Sequence, residues 1–193
     1  MNEHTPANAI HTIDALYIAP HRASVYLIVE NGRAAFVDAN TNDAVPRMMA
    51  ALSEAGLAPG DVDYVFVTHV HLDHAGGTAE LLRRCPNATA LVHPKTARHL
   101  AKPDRLIQAA RLIYHDRFDA LYGVIEPVPA DRMRTVADGE TLHWGERRLT
   151  FLHTLGHATH HYCIHDETSR AAFTGDSFGI AYPALQGGEN PFV

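Results

Sequence analysis

Four residues able to bind a metal ion fall within six positions of this chain: His69, His71, Asp73 and His74, in the run Thr68-His69-Val70-His71-Leu72-Asp73-His74. Imidazole and carboxylate ligands suit zinc, and they also suit iron or manganese. The run follows directly on Tyr64-Val65-Phe66-Val67, a continuous apolar stretch of the kind found in strands covered on both faces. Residues two apart in an extended chain point the same way, so His69 and His71 can grip one ion together. Asp73 and His74 fall where the chain turns into a helix, and there they can face a second ion. Ala75-Gly76-Gly77 lets backbone pack closely beneath them. The bland alternative is a solvated histidine-rich loop, and the fifteen histidines in the chain decide nothing by number alone. Four such residues at the exit of a buried strand point to metal.

The elements around this run form an α/β pattern. Val25–Val29 reads as a strand, Asn31-Gly32 as a tight hairpin turn, and Ala34–Val37 as the partner strand. Asn42–Ala55 carries apolar residues at helical spacing and stops at Gly56. His74–Arg84 is predicted helical, Thr89–Val92 a strand, and Pro94 a helix start. Pro103–Tyr122 is predicted to be helical, and strands return at Leu149–Leu152, Tyr162–Ile164 and Ala171–Thr174. Strands interleaved with helices argue for a mixed, layered α/β domain, and 193 residues suggest one domain.

Bulk properties narrow the function classes. The chain is 46% apolar and 20% charged, with a net charge of -6 and no cluster of Lys and Arg. That is not the footprint of a nucleic-acid binder, and no nucleic-acid partner is expected. No stretch is apolar enough for a bilayer span, and the N-terminal residues lack a basic segment followed by an apolar run. Cys85 and Cys163 form no C-x-x-C pair. The expectation is a cytoplasmic protein with free thiols acting on a small-molecule substrate.

The H-x-H-x-D-H run after an apolar strand resembles the signature of the metallo-β-lactamase superfamily. Two later segments resemble its remaining motifs in the right order. Thr154-Leu155-Gly156-His157 is similar to the T-P-G-H turn, with Leu155 where the family usually has proline, and Phe173-Thr174-Gly175-Asp176-Ser177 is similar to the strand-ending G-D. Asp38, after the strand Ala34–Val37, matches an early family aspartate. The resemblance covers Val25 to about Gly179 and implies the four-layer αββα fold. It implies that His69, His71 and His157 hold a first metal and Asp73 and His74 a second, with Asp176 bridging. Two zinc ions are implied, with iron or manganese as alternatives, and family members often form homodimers. Asp73 and Asp176 are then the catalytic carboxylates of a binuclear metallohydrolase, whose shared water attacks an ester-type bond in a thioester, lactone or related substrate. Asp38 and Thr68 are candidates to orient the ligands, ordinary loop hydrogen bonding being the equal alternative.

One family ligand has no counterpart: the second metal normally takes another histidine beyond the bridging aspartate, and no histidine follows His165. The expectation drawn from this, and from a tail rich in proline and glycine, is that the sequence lacks the C-terminal part of the fold. A second site completed by water, or a mononuclear centre, are the alternatives.

Other signals weigh less. Gly175-Asp176-Ser177-Phe178-Gly179 spells the G-x-S-x-G of serine hydrolases, which need a catalytic histidine after the serine, and none follows Ser177. His160 and His161 are not expected to ligate. Phe178 and Tyr182 are placed to line a pocket by position alone. A second reading is a mononuclear iron oxidoreductase of the persulfide dioxygenase type, using His71, His157 and Asp176 if His69 stands off. A third is a degenerate, non-catalytic metal-binding member.

Overall fold

The apolar runs of the sequence become two stacked sheets in a computed structural model that describes residues 8–178. The first sheet has six strands in sequence order: β1 (Asn8–Asp14), β2 (Ser24–Glu30), β3 (Arg33–Val37), β4 (Val62–Val67), β5 (Thr89–Val92) and β6 (Met133–Thr135). β1 to β3 are antiparallel, and β3 to β6 run parallel. The second sheet is an antiparallel meander of β7 (Thr141–Trp144), β8 (Arg147–His153), β9 (Tyr162–Asp166) and β10 (Ala171–Phe173). Asn31 and Gly32, at φ 48° and 78°, form the predicted tight turn between β2 and β3.

Alternation along each strand splits the core in two. Leu27, Phe36, Val65 and Val92 face α1 (Val45–Glu54) and α3 (Thr78–Arg84). Ile28, Val37, Phe66 and Leu91 face the second sheet, where Trp144, Leu149, Phe151, Tyr162 and Ile164 meet them. The layered α/β architecture is therefore as expected. The described residues supply three layers, helix, sheet and sheet, and none of their helices covers the outer face of the second sheet, where Leu152 stays exposed.

Several elements differ from the sequence reading. The segment 103–122 is broken into α5 (Asp104–Tyr114) and α6 (Phe118–Tyr122), because His115 takes φ 49° and ends the first helix. The expected helix over 74–84 divides into a single turn, α2 (Leu72–Ala75), and α3. β1, β6 and β7 had no clear alternating signal. α4 (Pro94–Ala101) starts at Pro94 as expected, with the His93 side chain accepting a hydrogen bond from Lys95 N at 3.0 Å. Tyr182 lies outside the described residues. No helix among the described residues is long and apolar enough to cross a membrane.

The parallel strands β3 and β4 end side by side, and β8 and β10 end at the same edge of the sandwich, where β9 begins. The loops leaving that edge carry every predicted site residue.

Candidate metal centre

β3 leaves the sheet through Asp38, Ala39 and Asn40, and β4 leaves it through Thr68 and His69. Asp38 N still donates to Phe66 O at 2.8 Å, after which Asp38 and Asn40 turn left-handed at φ 59° and 51°. The turned loop grips the metal-binding segment by its backbone. Ala39 N and Asn40 N both donate to His74 O, at 2.8 and 3.0 Å, and Asn40 Nδ2 donates to Asp73 O at 2.7 Å. Gly77 is needed here, since a Cβ would lie 2.6 Å from Ala39 O and 2.7 Å from Thr41 O.

Asp38 organises the polar floor. Its carboxylate accepts from Thr68 N at 2.8 Å, from Thr68 Oγ1 at 2.9 and 3.0 Å, and faces His74 Nδ1 at 2.8 Å. Carboxylate contact at Nδ1 turns His74 Nε2 inward, where it meets Asp176 Oδ1 at 3.0 Å. Thr68 Oγ1 lies 3.1 Å from His69 Nδ1 and leaves the opposite ring nitrogen, Nε2, facing in. That nitrogen is buried and has no hydrogen-bond partner, the kind of orphan that native interiors avoid unless something binds it.

Two triads of ligand atoms converge on this point: His69, His71 and His157, and His69, His74 and Asp176, each within 4.8 Å. His157 Nε2 stands 2.9 Å from His71 Nδ1, two basic nitrogens directed at one spot. Asp176 spans the two groups, with Oδ1 toward His74 and Oδ2 3.4 Å from His157 Nε2. A single imidazole lone pair serves one ion, whereas two carboxylate oxygens can serve two. Asp73 stands at the margin, its Oδ2 3.9 Å from His74 Nε2 and outside both triads.

Electrostatics fit a cation. Burial, then the neighbouring rings of His74 and His71, push His69 far down and keep it neutral. Burial and His157 lower His71 as well. Burial also acts against a charged His74, but Asp38, Asp176 and Asp73 outweigh it and raise its pKa well above the ordinary value. Three carboxylates that draw a proton onto His74 create the demand a divalent ion would satisfy. The unpartnered His69 Nε2, the paired nitrogens and the spanning carboxylate together fit a metal site, single or double.

Two histidines set aside in sequence stand close by. His161 is fully buried; its Nε2 accepts from Asp176 N at 3.2 Å, and its Nδ1 is 2.7 Å from Thr154 Oγ1. Burial brings its pKa down to about 4. His160 lies over His69 with ring centroids 6.3 Å apart, and its Nδ1 accepts a long hydrogen bond, 3.5 Å, from Val70 N. Cys163 Sγ is 3.3 Å from Thr154 Oγ1. No spacing rule marks Thr154 and Cys163 as partners; only strand pairing of β8 with β9 brings them together. Phe178, after Asp176, is exposed.

The sequence and fold have their counterparts in known proteins. A family model described as the metallo-beta-lactamase superfamily matches residues 18–187. A metallo-beta-lactamase fold-containing protein of Sulfurisphaera tokodaii is 26% identical over 92% of this chain and 65% of its own length. A crystal structure of an archaeal superfamily protein from Sulfolobus tokodaii superposes with TM-score 0.69 at 26% identity, over 84% of this chain and 61% of that one. The acyl-coenzyme A thioesterase MBLAC2 of Bos taurus is 30% identical over 56% of this chain and 39% of its own. The chain thus spans less than two thirds of the length of these relatives. With the matched model covering most of the sequence and the motif residues gathered at one edge of the two sheets, the chain belongs to the metallo-β-lactamase superfamily.

Proposed function

We propose that this chain is a metal-dependent hydrolase that cleaves an ester-type bond, a thioester or lactone, at a pair of zinc ions. The observation that carries the reading is the pair of triads that meet at His69, with Asp176 offering one oxygen to each. His69, His71 and His157 would hold one ion, and His74, Asp176 and Asp73 the other. Bound there, a metal pair supplies a water acidic enough to be a nucleophile near neutral pH and polarises the carbonyl it attacks. The chain's own part is orientation: Thr68 fixes the His69 ring, Asp38 fixes His74, and Asp176 sets the spacing between the two groups. Asp73, half-buried at the margin, is placed to receive a proton or to complete the second ligand set. The mononuclear iron reading needs His69 to stand off, and its inward, unpartnered Nε2 favours engagement instead. Thioesters come first among substrates because relatives named as acyl-coenzyme A thioesterase and atrochrysone carboxyl ACP thioesterase share the domain.

The test is metal content by mass spectrometry on protein purified without chelator, followed by a thioester and lactone panel. About two zinc ions per chain, and hydrolysis that chelator abolishes and zinc restores, would support the reading. One iron per chain with no hydrolysis would sink it.

A further inference from the structure

His161 is the most completely buried histidine near the centre besides His69, and the metal site as proposed gives it no work. Its surroundings define what it does. Asp176 N–H donates to His161 Nε2 at 3.2 Å, so that nitrogen must present a lone pair. The ring proton then sits on Nδ1 and points at Thr154 Oγ1, 2.7 Å away. Thr154 lies 3.3 Å from Cys163 Sγ, and the Cys163 thiol donates to Thr174 O at 3.5 Å. Donors and acceptors therefore run in one direction, from the Asp176 amide through His161, Thr154 and Cys163 to the Thr174 carbonyl. Both ends land on the same short turn, the one that carries Asp176. The middle of the chain, Thr154, opens the loop that carries His157, and Thr154 N donates to His161 O at 3.1 Å to close that loop's base.

The turn has been shaped around the ring. Gly175 has φ 47°, and a Cβ on it would lie 2.5 Å from His161 Nε2 and 3.0 Å from Thr68 Oγ1. A side chain there would drive the imidazole away from the Asp176 amide. Glycine at 175 and histidine at 161 are one device.

We infer that His161 is a positioning residue: as a neutral ring with its proton on Nδ1, it clamps the Asp176 turn against the His157 loop and so sets where the Asp176 carboxylate stands. The inference rests on the binuclear reading only for the consequence that a misplaced Asp176 weakens the metal it shares. The clamp itself is a property of the protein without metal.

Two variants separate the roles. In His161→Gln the amide oxygen can still accept from Asp176 N–H. His161→Asn reaches only the Nδ1 position, retaining a donor for Thr154 and leaving the Asp176 amide unpaired. In metal-free protein, nitrogen-15 spectra should show His161 protonated at Nδ1. Exchange of the Asp176 amide should be slow in the parent and in His161→Gln, and at least tenfold faster in His161→Asn. In zinc-loaded protein, chelator competition should show the ions that share Asp176 held about 10- to 100-fold more weakly in His161→Asn. His161→Gln should stay within a few-fold of the parent at both. A ring protonated at Nε2, or equal Asp176 exchange in the parent and His161→Asn, overturns the inference. So does metal held as tightly in His161→Asn as in the parent. If the parent itself takes up fewer than two ions, the binuclear reading fails, and the tautomer and amide exchange still decide the role of His161.

Discussion

The two ends of the sheet sandwich both bury polar groups, and they do so in opposite ways. At the end away from the metal centre, Arg147 is 2% exposed between Glu30 at 1% and Asp166 at 0%. Its Nε faces Glu30 Oε2 at 3.1 Å, its Nη1 pairs with Asp166, and its Nη2 donates to Val29 O at 3.2 Å. Glu30 also accepts from Glu146 N at 2.6 Å, and Asp166 accepts from Thr168 N and Ser169 Oγ. Gly145 makes room, since a Cβ there would overlap Glu30. Charge is balanced within the protein, although Arg147 Nε meets Glu30 as an ion pair without hydrogen-bond geometry. At the other end, the histidines and Asp176 turn ligand atoms toward a common point, and His69 Nε2 is left without a partner. A buried polar cluster that closes on itself holds the fold; one that leaves its lone pairs convergent and unmatched is built for something added.

The sharpest way to break this contrast is to remove one member at each end. His69→Leu should abolish chelator-sensitive hydrolysis and the ion shared with His71 and His157, as read by metal analysis. The same variant without metal should unfold in urea only slightly more easily than the metal-free parent, because Nε2 has no partner and only the Nδ1 contact with Thr68 Oγ1 is lost. A strongly destabilised metal-free His69→Leu would mean the site is structural after all. Arg147→Met should do the reverse, costing about 3–5 kcal/mol of stability by stranding two buried carboxylates, while the folded fraction keeps its metal. Asp38→Asn sits between, since it alters the charge behind His74 while preserving size. Metal affinity should fall about 10- to 100-fold, measured by chelator competition, with only a modest change in the urea midpoint.

The smallest expected effect is at the structural end, in acid. Although burial acts to raise the Asp63 carboxyl, Arg33 and Trp144 Nε1, the latter donating at 2.8 Å, bring its pKa below the ordinary value. A depressed folded pKa contributes stability above the unfolded value, about 3.9, and loses it as pH falls through the folded value. Between pH 5 and pH 2, Asp63→Asn should therefore show a shallower loss of urea stability than the parent. Identical slopes would mean the pairing does not outlast exposure to solvent.

Much of the centre was legible because its residues obey local rules. His69 and His71 alternate in extended chain, and Asp73 and His74 follow at a turn, so strand periodicity alone placed them. His157 and Asp176 came from the family resemblance and its motif order, and the structure brings both beside His69, His71 and His74. Asp73 was expected among the second ligands and stands at the margin, half-buried on the single turn α2 with its Oδ2 3.9 Å from His74 Nε2. The His161 clamp was illegible: Thr154, Cys163 and Thr174 meet only through the pairing of β8, β9 and β10, which no local spacing encodes. The break at His115 was equally hidden, since no local spacing marks its positive φ, after which α6 packs Phe118 and Tyr122 with Leu72. β1 escaped notice because Ile13 alone of its residues is buried, as at an edge.

The contact between His71 and His157 joins residues 86 positions apart. Closing so long a loop costs entropy that grows only slowly with length, but the closure itself must wait until the second sheet has docked on the first. The H-x-H-x-D-H segment is made early in synthesis and is complete in itself, whereas its partners arrive with the last described strands. A newly made chain thus passes through a stage in which His69, His71, Asp73 and His74 exist and His157 and Asp176 do not, and lasting capture of an ion marks the moment the two sheets meet.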